Sequence, residues 1–272
     1  MAANPAFLDS LRLSAPALRL QAIWQRAKRR LRSRRAREQV GTCPVCARAT
    51  GFVSLLDNPR EDPQCVRCGS VPRQRALVAL LARLGLDLAA TSTHESSPSL
   101  CTYDFFRRRC QPFVASYFRP GVAAGARLGA FRCVDLGHQP FAEATFDLVV
   151  TQDVLEHVPE PSRALREIER TLKPGGRHVF TVPRADWRTT TARAVWRDGT
   201  LHLLAAAEFH RVPVAKKGTL VVTDWGSDLE QIISNPPHTS CIAHLVCDPT
   251  IGVPSPIEVF VTTKVSAAER FS

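Results

Sequence analysis

The chain has 272 residues, 44 % of them apolar and 22 % charged, with nine cysteines and a net charge of +11. That length suits one large or two modest domains of ordinary globular composition, which excludes collagen-like, low-complexity and wholly disordered chains. Positions 1–40 hold ten Lys and Arg against Asp9 and Glu38, so this arm carries +8 and the remaining 232 residues only +3. Any argument from charge to nucleic acid or an anionic surface is thereby confined to the arm.

The arm, residues 1–40, predicts one basic amphipathic helix. Ser14 can cap it, Pro16 fits its first turn, and Leu20, Ile23, Trp24, Ala27 and Leu31 recur at three- and four-residue steps with Arg between them. Residues 16–37 would suit peripheral contact with an anionic membrane at its inner face, a solvated helix face and an organelle leader being the alternatives. No run of 18 apolar residues and no secretory pattern is present, so the expected compartment is the cytoplasm.

Residues 41–70 contain Cys43-Pro-Val-Cys46 and, 18 residues on, Cys65-Val-Arg-Cys68. Two such knuckles point four thiolates at one place, the pattern of a closed zinc ribbon in a reducing compartment. With no open coordination position the Zn2+ is expected to be structural, replacing the apolar core that 30 residues cannot build. Cys101, Cys110, Cys133, Cys241 and Cys247 read as buried or incidental thiols. Over residues 71–90, Pro72 and the run Ala76, Leu77, Leu80, Leu81, Leu84 predict a helix ending at Gly85 that links the ribbon to the larger C-terminal part of the chain.

Beyond residue 91, short apolar runs alternate with helical patterns. Expected strands are Thr91–Glu95, Pro112–Ser116, Phe131–Val134, Phe146–Gln152 and His178–Val182, with a helix over Pro161–Leu172 between the last two. Such alternation means a parallel sheet with crossover helices. An excursion over about 183–219 comes next, then a helix over about 226–233. Two runs, 241–246 and 257–264, are expected to pair antiparallel.

The segments Phe146-Asp-Leu-Val-Val-Thr-Gln-Asp-Val-Leu-Glu-His-Val158, Ala164-Leu-Arg-Glu-Ile-Glu-Arg-Thr-Leu-Lys-Pro-Gly-Gly176 and Phe180-Thr-Val-Pro183 resemble the class I S-adenosylmethionine-dependent methyltransferases of type 11. Within them the chain is similar to bacterial proteins in which a four-cysteine ribbon and an Arg-containing helix precede the methyltransferase domain. The resemblance implies an α/β, Rossmann-like, seven-stranded sheet with an antiparallel last strand over residues 91–272, and S-adenosylmethionine as cofactor. It implies that Glu95 faces the cofactor's amino group, that Ser96 and Ser97 approach through their backbone, and that Ser116 stands at the ribose position. Asp135, followed by Leu136, matches the adenine contact, and Thr151, Gln152 and Asp153 line the cleft. Asp153, His157 and His210 are the candidate catalytic residues. The chain departs from the pattern in lacking the Gly-rich turn after Glu95, in having Ser116 where a carboxylate usually stands, and in Arg211 replacing a glycine.

The function expected from the resemblance is O-methylation of a small-molecule or glycan acceptor, including a lipid-linked sugar. An RNA methyltransferase gripping a phosphate backbone with arm and ribbon is one alternative. A non-catalytic binding module is the other.

Overall fold

The computed structural model describes residues 39–212, 215–234 and 239–265, so the helix and membrane contact expected within residues 14–37 lie outside it. Among the described residues no helix is long and apolar enough to cross a membrane.

Three antiparallel strands come first: β1 (Gln39–Cys43), β2 (Arg48–Val53) and β3 (Gln64–Cys65), with β2 central. Helix α1 (Pro72–Arg83) is next in the chain; Pro72 takes its first turn and the Gln74 side chain accepts from the Val71 amide at 3.1 Å. Beyond it are β4 (Thr93–Ser96), α2 (Leu100–Arg109), β5 (Phe113–Tyr117), β6 (Arg127–Leu128), β7 (Phe131–Cys133), β8 (Phe146–Gln152), α3 (Pro161–Thr171) and β9 (Leu172–Thr181). The excursion holds β10 (Arg184–Ala185), β11 (Thr191–Ala192), β12 (Ala194–Arg197), β13 (Thr200–Leu203), β14 (Phe209–Val212) and β15 (Ala215–Leu220). The chain then forms β16 (Thr223–Gly226), α4 (Leu229–Ile233), β17 (Thr239–Asp248) and β18 (Val253–Lys264).

Eight strands form the central sheet in the order β17-β18-β9-β8-β4-β5-β7-β6. The pairs β4 with β5, β4 with β8, β5 with β7 and β8 with β9 are parallel; β18 runs antiparallel to both β9 and β17. Seven of these strands are the Rossmann-like methyltransferase arrangement expected from the sequence. The eighth, β6, is a two-residue edge hairpin on β7, too short to carry a period-2 signal. Strand β9 starts at Leu172, well before the expected His178, because Lys-Pro-Gly-Gly continues the pairing across an irregularity between Phe146 and Leu148. The excursion, for which the sequence predicts bounds but no elements, is built largely of short hairpins. Asp198-Gly199 closes β12 onto β13 with both residues at positive φ (50° and 70°), a two-residue hairpin turn whose signature is legible in the sequence.

Alternation along the central strands builds two cores. Leu148, Val150, Val179, Val259 and Val261 face one side, with α1; Val149, Phe180 and Phe260 face the other, with α3, Trp225 and Leu229. The ribbon belongs to the first core, since Cys43, Val45, Phe52 and Cys65 join the same buried cluster as Leu77, Leu81 and Val253. Gly41 lies so close to the turn between β17 and β18 that a Cβ there would fall 1.9 Å from the Thr250 carbonyl oxygen. Of the five remaining thiols, Cys110 and Cys133 are buried and Cys101 and Cys241 half-buried, whereas Cys247 is exposed.

Phe52 is 1 % exposed and sits under the Arg75 guanidinium, 4.7 Å from ring centroid. Truncating it in Phe52→Ala is expected to cost about 3–5 kcal/mol. Calorimetry should show one transition at lower temperature; two separated transitions would mean that ribbon and sheet unfold independently.

Candidate functional site

Strand β4 is flanked by β5 on one side and β8 on the other, so the sheet's strand order reverses at its carboxyl end, where open α/β sheets bind ligands. Glu95 and Gln152 meet there. The Gln152 amide donates to Glu95 Oε1 at 3.3 Å, while Glu95 Oε2 and Gln152 Oε1, both buried, have no partner. Burial pushes the Glu95 carboxyl up to about 8, against weaker lowering by Thr102 and Gln152.

Ser96 is the last residue of β4, and Ser97 follows in a left-handed conformation, φ 54°, donating its amide to the Ser116 carbonyl at 2.8 Å. A serine thus takes this left-handed bend. The Tyr117 hydroxyl donates to the Pro98 carbonyl and pins the turn to β5. Ser99 then caps α2, its hydroxyl accepting the Thr102 amide at 3.3 Å.

Two predicted contacts are engaged inside the sheet. The Ser116 hydroxyl is fully buried and 2.8 Å from His94 Nε2, and the Thr151 hydroxyl is 2.9 Å from His178 Nε2. Desolvation brings both imidazoles down to about 3, so each is a neutral hydrogen-bonding group at ordinary pH. Ser116 therefore offers no hydroxyl to the cleft. Its strand continues to Tyr117, one residue past the expected end, so Ser116 lies within β5 and not at its tip.

Asp135 lies just beyond β7, its side chain 46 % exposed. Oδ1 accepts the Gly137 amide at 2.8 Å, the turn-capping role, and Oδ2 lies 4.0 Å from His138 Nδ1. Leu136 beside it is buried. A shallow cavity of about 330 Å³ adjoins this turn, lined by Gly137, His138, Gln139, Arg163, Arg166 and Glu167.

Asp153 ends β8 at φ 52°. Its Oδ1 accepts from Arg60 at 2.6 Å and from the Thr181 hydroxyl at 2.8 Å, and its Oδ2 faces Arg73 Nε at 3.0 Å. Arg73 also donates to Glu61 at 2.6 Å. Although desolvation opposes it, the two guanidiniums hold the Asp153 carboxyl below the usual carboxylate range. A carboxylate so occupied is a structural tie, and Asp153 is set aside as a catalytic base. Arg60, Arg73 and Glu61 were not singled out by sequence reasoning; nothing local distinguishes them from other surface charges.

His157 and His210, remote in sequence, do come together, their ring centroids 5.0 Å apart at 86°. Both flank Glu156, whose side chain is 1 % exposed: His157 Nε2 and His210 Nδ1 each lie 3.7 Å from Oε1. His157 Nδ1 donates to the Leu220 carbonyl at 2.8 Å. The Glu156 carboxylate raises the pKa of the His210 imidazole against the opposing effect of burial. His210 also borders a cavity of about 170 Å³ shared with Arg188, Glu208, Asp224 and Trp225.

The four ribbon cysteines converge as the spacing predicts, all four sulfurs within 4.8 Å of one another and those of Cys43 and Cys68 3.7 Å apart. Four sulfurs about 2.3 Å from one zinc would stand about 3.8 Å apart, so the residues fit a tetrahedral thiolate site. Hydrogen bonds, that to Cys46 foremost, lower the Cys43 thiol to about 7.

Residues 114–180, from within β5 to β9, match the family described as a methyltransferase domain. The dimethylglycine N-methyltransferase of Parasynechococcus marenigrum is 48 % identical over 46 residues, 17 % of this chain and 16 % of that protein. The demethylmenaquinone methyltransferase of Thermobifida fusca is 40 % identical over 114 residues, 39 % of this chain and 45 % of that protein. The chain thus spans less than half the length of either curated relative. Among solved structures, an S-adenosylmethionine-dependent methyltransferase from Mesorhizobium loti is similar with a TM-score of 0.45 and 13 % identity, over 70 % of this chain and 97 % of that one. The matched segment starts after the Glu95–Pro98 turn, where the sequence departs from the family pattern.

Asparagine tolerates the left-handed conformation at 153 and keeps the shape of the side chain, so Asp153→Asn isolates the charge. It is expected to cost about 3 kcal/mol at neutral pH, because two part-buried guanidiniums lose their counter-charge. The native carboxyl titrates below its unfolded value, so its contribution is present above that value and lost as pH falls through the lowered one. Melting temperatures of parent and variant should accordingly differ at pH 7, begin to approach one another near pH 4 and converge only well below it. A constant gap at all pH values would exclude the charge as the cause.

From within β5 to β9 the chain is therefore similar to a methyltransferase domain, and that segment lies on the parallel part of the central sheet.

Proposed function

We propose that the protein transfers the methyl group of S-adenosylmethionine to an oxygen of a small-molecule or glycan acceptor. The observation that carries this reading is the buried Glu95–Gln152 pair at the carboxyl ends of β4 and β8, with two oxygens that lack a donor. An ammonium group satisfies both and restores charge to a carboxyl that burial has driven up to about 8. Asp135 keeps Oδ2 free to accept from the adenine amino group while Oδ1 holds the Gly137 amide, and Leu136 supplies an apolar wall. The ribose is assigned no partner at Ser116 or Thr151, whose hydroxyls are bonded to His94 and His178. Ser96 and Ser97 bring the backbone to the strand end in place of the glycines.

The bound cofactor supplies an electrophilic sulfonium methyl, so the chain's tasks are alignment and removal of one proton. The cavity beside His210 offers Glu208 and Asp224 as acceptors, Arg188 as a donor and Trp225 as a flat wall, a lining suited to a hydroxyl-rich acceptor. His210 borders that cavity and His157 stands behind it, so the cluster of Glu156, His157 and His210, rather than Asp153, is where the acceptor hydroxyl would lose its proton. The ribbon would hold one structural zinc through Cys43, Cys46, Cys65 and Cys68.

Calorimetric titration with S-adenosylmethionine tests the reading. Asp135→Ala is expected to weaken binding by about 1–3 kcal/mol, and Glu143→Ala, an exposed carboxylate outside the site, to leave it unchanged. Absence of heat at millimolar cofactor would favour the non-catalytic binding module.

Treating the folded protein with a thiol-specific mercurial should release one zinc per chain. Cys65→Ser should release none, and its ribbon should become protease-sensitive.

A further inference from the structure

We propose that Glu156, His157 and His210 bind a divalent transition cation of the zinc class, in a second metal site separate from the four cysteines. The three side chains offer two imidazole nitrogens and one carboxylate oxygen, all within 4.8 Å of one another. Around one cation with bonds of about 2.1 Å, tetrahedral ligands stand about 3.4 Å apart. The two nitrogen-to-Oε1 separations of 3.7 Å are close to that spacing. They are too long for the charge-assisted hydrogen bonds, about 2.7–2.9 Å, that an imidazolium would make with this carboxylate.

Glu156 gives the independent sign of a missing partner. Its side chain is 1 % exposed, and neither carboxylate oxygen has a hydrogen-bond donor. Burying an ionised carboxylate without a partner is too costly to be left uncompensated. Arg73 senses Glu156 electrostatically, but its Nε is held by Glu61 at 2.6 Å and Asp153 at 3.0 Å. A cation between Glu156 and the two imidazoles would supply the missing charge.

Outer contacts orient the ligands. The Leu220 carbonyl can only accept, so His157 Nδ1 carries the proton there and Nε2 presents its lone pair towards Glu156. At His210, Glu208 Oε1 faces Nε2 at 4.0 Å, favouring the proton on that nitrogen and leaving Nδ1 to face Glu156. The cavity bordered by His210 leaves one side of the site open, which is where an acceptor hydroxyl could take a further coordination position and become more acidic. This proposal stands on the cluster's geometry and holds whichever acceptor is methylated.

The test titrates the full-length protein, its thiolate site already filled with zinc, with Zn2+ by calorimetry and with Co2+ by visible absorption. One further cation per chain is expected, and its cobalt spectrum should lack sulfur charge-transfer bands. Glu156→Gln and His210→Ala should each weaken it at least tenfold while leaving the thiolate-bound zinc in place. His202→Ala, at an exposed imidazole outside the cluster, should bind as the parent does. The proposal is overturned if the parent takes up no cation beyond the thiolate-bound one, or if both folded cluster variants retain parental affinity. Two variants are used so that one failing to fold leaves the other to decide.

Discussion

The meeting of Arg60, Arg73 and Thr181 on one carboxylate, Asp153, is the constraint on which the arrangement of the cleft depends. Arg60 comes from the ribbon's long loop, Arg73 from the first turn of α1, Thr181 from the end of β9 and Asp153 from the end of β8. Four segments remote in sequence are thereby fixed at the mouth of the switch-point crevice. The tie needs the Asp153 backbone at φ 52°, which aspartate tolerates far better than a β-branched residue. The neighbouring pair, Glu156 and His157, lies in a single 3₁₀ turn a few residues on.

Within the sheet, two buried imidazoles are each paired with a hydroxyl on the next strand. His94 with Ser116 joins β4 to β5, and Thr151 with His178 joins β8 to β9. Both imidazoles are held neutral by burial, so these pairs add hydrogen bonds without adding charge. Glu95 keeps one buried carboxylate oxygen without a donor, and Glu156 both. Among the described residues these are the buried carboxylates with oxygens so left, and they mark where a ligand could complete the protein's own set of hydrogen bonds.

How much of the molecule is legible in its sequence depends on the range of each signal. Strand β8 is placed to the residue because Phe-Asp-Leu-Val-Val-Thr-Gln is a short buried run between turns, and α3 nearly so because Pro161 opens it and its apolar positions recur helically. The cysteine cluster is legible because knuckle spacing is local chemistry. The bond of Ser116 to His94 on the neighbouring strand leaves no local pattern in the sequence. The Arg60–Asp153 contact, 93 residues apart, leaves no local pattern. The convergence of His157 on His210 depends on how β14 folds back, and the excursion's sequence gives little periodicity to place it.

The ribbon's place in the first core has an electrostatic reason as well as an apolar one. Arg75 is fully buried beside the thiols and donates to the carbonyls of Ser70, Pro63 and Gly252, the last at 2.5 Å across to the turn between β17 and β18. Desolvation alone would make such a guanidinium expensive, and the thiols of Cys43, Cys65 and Cys68 oppose that effect. Negative charge on those sulfurs and the buried guanidinium would each lower the other's cost of burial. Gly252, at φ 74° with Phe52 packed where its Cβ would be, lets the strand turn approach that pair closely enough to accept the bond. The Arg75 bond thereby reaches from the cysteine segment to the turn between β17 and β18 at the far edge of the sheet.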